Sequence, residues 1–98
     1  MLSGKSLDAA TSVGPGVAFY PDTPKTSVSI QSSCTGSSSG TSIFVECTVD
    51  GVNWDSMISG PADGAIHAST SPKPFIGFRA NLLTIGSGGS ITSWIAAA

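Results

Sequence analysis

Apolar and polar residues alternate along several short runs of this chain, and glycine, proline and serine separate the runs. From Thr26 to Gln31 the alternation sets Val28 and Ile30 on one side and Ser27, Ser29 and Gln31 on the other. Period two marks a strand with one buried face, because successive side chains of an extended chain point to opposite sides. The pattern returns in Ile43, Val45, Cys47 and Val49, with Phe44, Glu46 and Thr48 opposed to them. Phe75 to Ile85 is the longest apolar segment, with Phe78, Ala80 and Leu82 against Gly77, Arg79 and Asn81. Ile91 to Ala96 supplies a last strand, while Val17–Tyr20 and Met57-Ile58 are shorter runs and Ala65 to Ser69 is weaker.

Turn residues punctuate these runs at roughly eight- to twelve-residue spacing, as in all-β sandwiches and barrels. Pro21-Asp-Thr-Pro24, Gly60-Pro61 and Gly86-Ser-Gly-Gly89 are the clearest breaks. With no convincing helical period in any window, the pattern predicts one all-β domain over residues 1–98, with little or no helix. The expected fold is a small antiparallel sandwich, Ig-like or jelly-roll-like, of about seven strands. Residues 1–16 are left as a candidate extended N-terminal arm. The predicted core is Val28, Ile30, Ile43, Val45, Val49, Phe78, Leu82, Ile91 and Ile95.

Asp50-Gly51 follows one of these strands directly and reads as a hairpin turn, with Val52, Asn53 and Trp54 opening the returning strand. Trp54 is then expected to cover an end of the core with its N–H near water. The competing reading makes Trp54 a sugar-stacking platform, with Asp50, Asn53 and Tyr20 around it.

Composition changes the picture in one respect. Charged residues make up 10% of the 98 positions, against roughly 25% in ordinary soluble domains, and serine and threonine together exceed a quarter. A hydroxyl-rich, charge-poor exterior repels other protein weakly, so it suits close packing in an assembly. With net charge −2 and four scattered cations, Lys5, Lys25, Lys73 and Arg79, direct nucleic-acid binding is not expected, since phosphate recognition needs clustered basic side chains. No apolar run approaches the roughly 18 residues of a membrane-spanning helix. The opening MLSGKSLDAATSVG lacks the apolar stretch of a signal peptide, so synthesis in a cytoplasm is expected. Two cysteines, Cys34 and Cys47, are too few for a disulfide framework. If Gly36-Ser-Ser-Ser-Gly40 turns a hairpin, they fall out of register, and both are expected as reduced, partly buried thiols.

No catalytic residue is assigned. His67 is the single histidine, and the His, Cys and Asp positions lack metal-ligand spacing. Gly86-Ser-Gly-Gly89 lacks the Gly-Lys-Ser/Thr of a phosphate loop. No metal and no cofactor is therefore implied. Arg79 faces away from Phe78 and Ala80, either as a solvated charge or as one half of an intersubunit pair with Glu46 or Asp63.

Three stretches together, VECTVDGVNW, KPFIGFRANLLTI and ITSWIAAA, resemble small bacteriophage virion proteins. In that group a strand ending in Glu-x-Ser-x-Asp-Gly-x-x-Trp leads to an Arg-Ala-Asn-Leu strand and an apolar final strand. The opening SLDAATSVGPGVAFY is similar to the family's start, where a Leu-Asp-Ala segment and a glycine-rich turn precede the first strand. The chain departs from the pattern at Cys47, where serine is common, and at Gly77, where a larger side chain is expected. The resemblance implies a non-enzymatic virion building block, such as a capsid decoration protein, or a head-fibre or tail element. Its implied partners are the major capsid protein, other virion proteins and copies of itself, and its implied location is the virion. On that reading Arg79, Trp94, Ile95, Leu7, Val13 and Val17 are the expected contacts; a carbohydrate-binding or host-adhesion module is the alternative.

Overall fold

The computed structural model describes residues 2–35, 41–60, 64–85 and 89–98. Eight strands run through them: β1 (Leu2–Ala10), β2 (Gly14–Pro15), β3 (Lys25–Thr35), β4 (Ser42–Thr48), β5 (Asp55–Gly60), β6 (Ile66–Phe75), β7 (Gly77–Thr84) and β8 (Ser90–Ala97). They form two four-stranded sheets, ordered β1-β8-β3-β6 and β2-β7-β4-β5, with every pairing antiparallel. The order is that of a two-stranded ribbon, β1 to β4 laid against β5 to β8, folded at the β4–β5 hairpin and rolled up. Rolling brings β8 onto β3 and β7 onto β4, which makes the sandwich a jelly roll rather than an Ig-like fold.

The alternating pattern dictates the core. Val28, Ile30, Ile91 and Ile95 from one sheet meet Ile43, Val45, Phe78 and Leu82 from the other, all buried, with Leu7, Cys47, Ala80 and Ala97 filling between them. Val49 is the exception among the predicted core residues at 64% exposure, because β4 ends at Thr48 and the alternation ends with it. Two hydroxyl pairings cross this interior. Ser32 and Ser93, directly opposite on β3 and β8, share a hydrogen bond of 2.8 Å. Ser6 accepts from Ala80 N and donates to Val17 O, both at 2.8 Å, tying β1 to the second sheet. Each buried hydroxyl thus keeps a partner, without which burial would cost about 1–3 kcal/mol.

Three expectations are corrected. Residues 2–10 are not an arm: they pair with β8 as an edge strand, with register shifts between Lys5 and Leu7 and between Leu7 and Ala10. The Phe75–Ile85 run is two strands in different sheets, turned at Ile76, whose N–H donates to Thr48 O at 2.9 Å. The 36–40 segment lies outside the described residues, but β3 and β4, which flank it, belong to different sheets and do not form a hairpin.

Candidate functional site

The β4–β5 turn is built around one hydroxyl and one carboxylate. The buried Thr48 Oγ1 donates to Asn53 O (2.7 Å) and accepts from Gly51 N (2.9 Å). Asp50 Oδ1 accepts from the backbone N–H groups of Val52 and Asn53, each at 2.8 Å, and Oδ2 accepts from Asn53 Nδ2 at 2.8 Å. These donors, the Asn53 backbone N–H first, hold the Asp50 carboxyl well below the usual carboxylate range. A depressed folded-state value means that the contribution is fully present above the ordinary carboxylate value. It is lost progressively as pH falls from that ordinary value through the lower, folded one. Gly51 takes φ +80°, which glycine accepts without strain. The turn is therefore longer than the two-residue hairpin expected: β5 begins at Asp55, and Val52, Asn53 and Trp54 belong to the loop. Asp50 and Asn53 are engaged in holding it.

What the turn positions is Trp54, on the outer face of the β2-β7-β4-β5 sheet. Tyr20 meets its ring edge-on, with centroids 6.4 Å apart and planes at 65°. The Arg79 guanidinium lies over the indole, its Cζ 4.3 Å from the centroid. Arg79 Nε donates to Glu46 Oε1 at 2.8 Å, and Asn81 Nδ2 donates to Glu46 Oε2 at 3.2 Å. Glu46 and Arg79 are opposite each other across β4 and β7, so the ion pair is formed within the chain, not between subunits. The missing side chain at Gly77 has a physical reason here: a Cβ would stand 2.7 Å from Tyr20 Cε1 and 3.0 Å from Thr48 Cγ2. Glycine lets the tyrosine ring lie against the sheet.

The opposite outer face has a different chemistry. Across β1, β8, β3 and β6 the register aligns Lys5, Trp94, Gln31 and Ile66 in one row and Ser3, Ala96, Ser29 and Ala68 in the next. Trp94 is 53% and Ile66 68% exposed, and Lys5 Nζ sits 5.1 Å from the Trp94 ring centroid. Lys5 is the single charge in the two rows. Between Ser3, Ser29, Gln31, Ile66, Trp94 and Ala96 lies a shallow depression of about 180 Å³.

Of the residues expected to contact a partner, Leu7 and Ile95 are buried and have no side-chain surface to offer. Val13 and Val17 are exposed on either side of β2, away from the Trp94 row. Sequence reasoning passed over Asn81 and Ile66 and named Glu46 only as a candidate intersubunit partner of Arg79; the polar faces of β4 and β7 were legible, but not that the two strands pair. His67 is half-buried on β6 and has an interaction partner. Among the described residues no three His, Cys, Asp or Glu side chains gather as a metal site, and no helix is long and apolar enough to cross a membrane.

Both cysteines are free thiols, Cys34 half-buried and Cys47 buried. Burial pushes the Cys47 thiol up from its ordinary value, and the carboxylates of Asp55 and Glu46 push the same way. Since the thiolate is the reactive form, iodoacetamide near neutral pH should modify Cys34 well before Cys47, read by peptide mass. Equal rates would mean that Cys47 is not shielded as described.

No family model matches the chain, and no curated protein matches it in sequence. Solved structures do match in shape. The SPBc2 prophage-derived protein YomS is similar at a TM-score of 0.59 and 16% identity, over 99% of this chain and 92% of that one. The Yersinia pseudotuberculosis-derived mitogen YPM is similar at 0.58 and 14%, over 99% of this chain and 82% of that one. A glycoside hydrolase matches at 0.51 and 18%, over 85% of this chain but 20% of its own length. At such identities the likeness establishes a shared β fold, found in a prophage-derived protein, a mitogen and part of an enzyme alike, and fold alone does not fix function.

Proposed function

We propose that this chain is a non-enzymatic structural protein of a bacteriophage particle, a capsid decoration protein that docks on the major capsid protein through the outer face of the β1-β8-β3-β6 sheet. The observation that carries the reading is the Trp94–Gln31–Ile66 row, a flat and nearly uncharged strip holding two large exposed apolar side chains. An exposed tryptophan is the kind of side chain that dominates binding energy once buried at an interface. The resemblance of VECTVDGVNW, KPFIGFRANLLTI and ITSWIAAA to phage virion proteins, and the jelly-roll fold shared with prophage-derived YomS, support the same assignment.

The face is small for the task. Four strands about 4.8 Å apart and eight residues at about 3.3 Å each give roughly 500 Å² of projected area. A stable interface usually takes about 800 Å² from each partner. Attachment therefore draws on copies of the chain bound side by side, whose linkage multiplies a modest single-site affinity.

Purified particles mixed with the Trp94→Ala, Ile66→Ser double variant should retain about tenfold less protein than with the unaltered chain. Circular dichroism should be unchanged, since both side chains are exposed. Retention at the unaltered level, or the absence of the chain from particles of its own source, would sink the proposal.

A further inference from the structure

The cluster on the other sheet is too organised to be only a capping contact for the β4–β5 turn. Three separate parts of the chain build it: the segment carrying Tyr20, the turn carrying Trp54, and the paired outer positions of β4 and β7. Arg79 is held from two directions, stacked over the indole and tethered through Nε to Glu46. Neither of its Nη groups has a hydrogen-bond partner among the described residues, and the Arg79 side chain is 23% exposed against 14% for Glu46, so the guanidinium is the more accessible half of the pair. Glu46 receives one hydrogen bond on each oxygen and keeps acceptor capacity on both. Asn81 spends one N–H on Glu46 and keeps its carbonyl oxygen and its other N–H. Beside these groups Tyr20 is 54% exposed as a residue, with its ring set over Gly77.

Donors and acceptors alternating on a rigid base, next to an exposed aromatic face, match one ligand chemistry. Adjacent hydroxyls of a sugar ring each donate and accept, and the ring's C–H face is apolar enough to lie on an aromatic side chain. We infer that Tyr20, Trp54, Arg79, Glu46 and Asn81 form a saccharide-binding site for a neutral pyranose. A vicinal diol is gripped by the Arg79 fork, Glu46 and Asn81, and the C–H face rests on Tyr20. The sugar is neutral because Glu46 already balances Arg79 and Asp50, in the turn that carries Trp54, adds negative charge, so the field of the site disfavours an anionic ring. The site is independent of the particle attachment proposed above, which uses the opposite face, and both can be occupied at once.

The experiment is a titration of the ¹⁵N-labelled full chain with the methyl glycosides of glucose, galactose, mannose and N-acetylglucosamine, with glucuronate as the anionic comparator. The two tryptophan indole N–H signals report on opposite faces. A neutral glycoside should shift the Trp54 signal saturably and leave Trp94 in place. Tyr20→Ala and Asn81→Ala should each weaken that binding by about tenfold with the rest of the spectrum preserved. Tyr20→Ala should leave particle retention unaltered, so that failure here and failure of the docking proposal are told apart. A Trp54 signal that no neutral glycoside moves, a shift at Trp94 alone, glucuronate bound at least as tightly, or undiminished binding by Tyr20→Ala would each overturn the inference.

Discussion

Val45→Asp is expected to abolish the folded state. Val45 is completely buried at the middle of β4, with Ile58 on one side and Ala80 on the other, and its side chain enters the core between the sheets. None of the core side chains around it carries a charge, so the new carboxylate is either buried unpaired or kept neutral by protonation. Each route costs several kcal/mol, set against a total stability of about 5–15 kcal/mol for a domain, and chains of this size lie toward the lower end. The thermal transition followed by circular dichroism should disappear. Val45→Ala, which removes two carbons without adding charge, should cost roughly 2 kcal/mol and keep a cooperative transition. A Val45→Asp protein melting within a few degrees of the unaltered one would show that β4 is not packed as described.

Thr48→Val should cost less but should reach further into function. Valine has nearly the shape of threonine, so packing is preserved and what is lost is the hydroxyl. Thr48 Oγ1 joins the end of β4 to Asn53 O and Gly51 N, and its loss leaves those groups with water or with nothing. The expected cost is on the order of 1–3 kcal/mol in the denaturation midpoint. The more telling readout is Trp54, the residue after Asn53, whose fluorescence in a Trp94→Phe background should move toward that of a solvated indole. A midpoint shift below about 0.5 kcal/mol with unchanged Trp54 emission would mean that Asp50 holds the turn alone.

The sequence made the central strands legible because their signal is local. Val28 and Ile30 in β3, Ile43 and Val45 in β4, Phe78 and Leu82 in β7, and Ile91 and Ile95 in β8 each announce a buried face by alternation, and all are in the core. The first strand was obscured by its irregularities: Ser6 and Leu7 are consecutive yet both buried, and Ala9 takes φ +48°. A period-two reading cannot follow a strand through such a kink. Pro72 and Pro74 likewise hid the length of β6, an edge strand where missing N–H donors are tolerated.

Sheet membership was out of reach for another reason. Successive strands of the roll mostly alternate between sheets, so proximity in sequence misleads everywhere except at β4–β5. The binding surfaces depend on that hidden information. Tyr20 and Trp54 were named together as one candidate set, but the form of their contact, and the stacking of Arg79 on Trp54, follows from the pairing of β4 with β7 and from the gap left at Gly77. Arg79 was expected either as a solvated charge or in an intersubunit pair with Glu46 or Asp63; it meets Glu46, but within its own chain.

The pairing of β1 with β8, from Leu2↔Ala97 to Ala10↔Ile91, also sets a timetable for the chain's birth. On the ribosome the first strand emerges long before its neighbour exists, and β3 too waits for β8 to fill the place between them. The β4–β5 hairpin is the one pairing of consecutive strands; the β2-β7-β4-β5 sheet must wait for β7, and the β1-β8-β3-β6 sheet stays open until β8 has emerged. Folding dominated by such distant pairings is slow, on the millisecond-to-second scale, because loop closure must precede the contacts that reward it. During that interval the nascent chain exposes β3, with its apolar Val28 and Ile30, as an unpaired edge, the condition in which β-rich proteins depend most on chaperones and on dilute company.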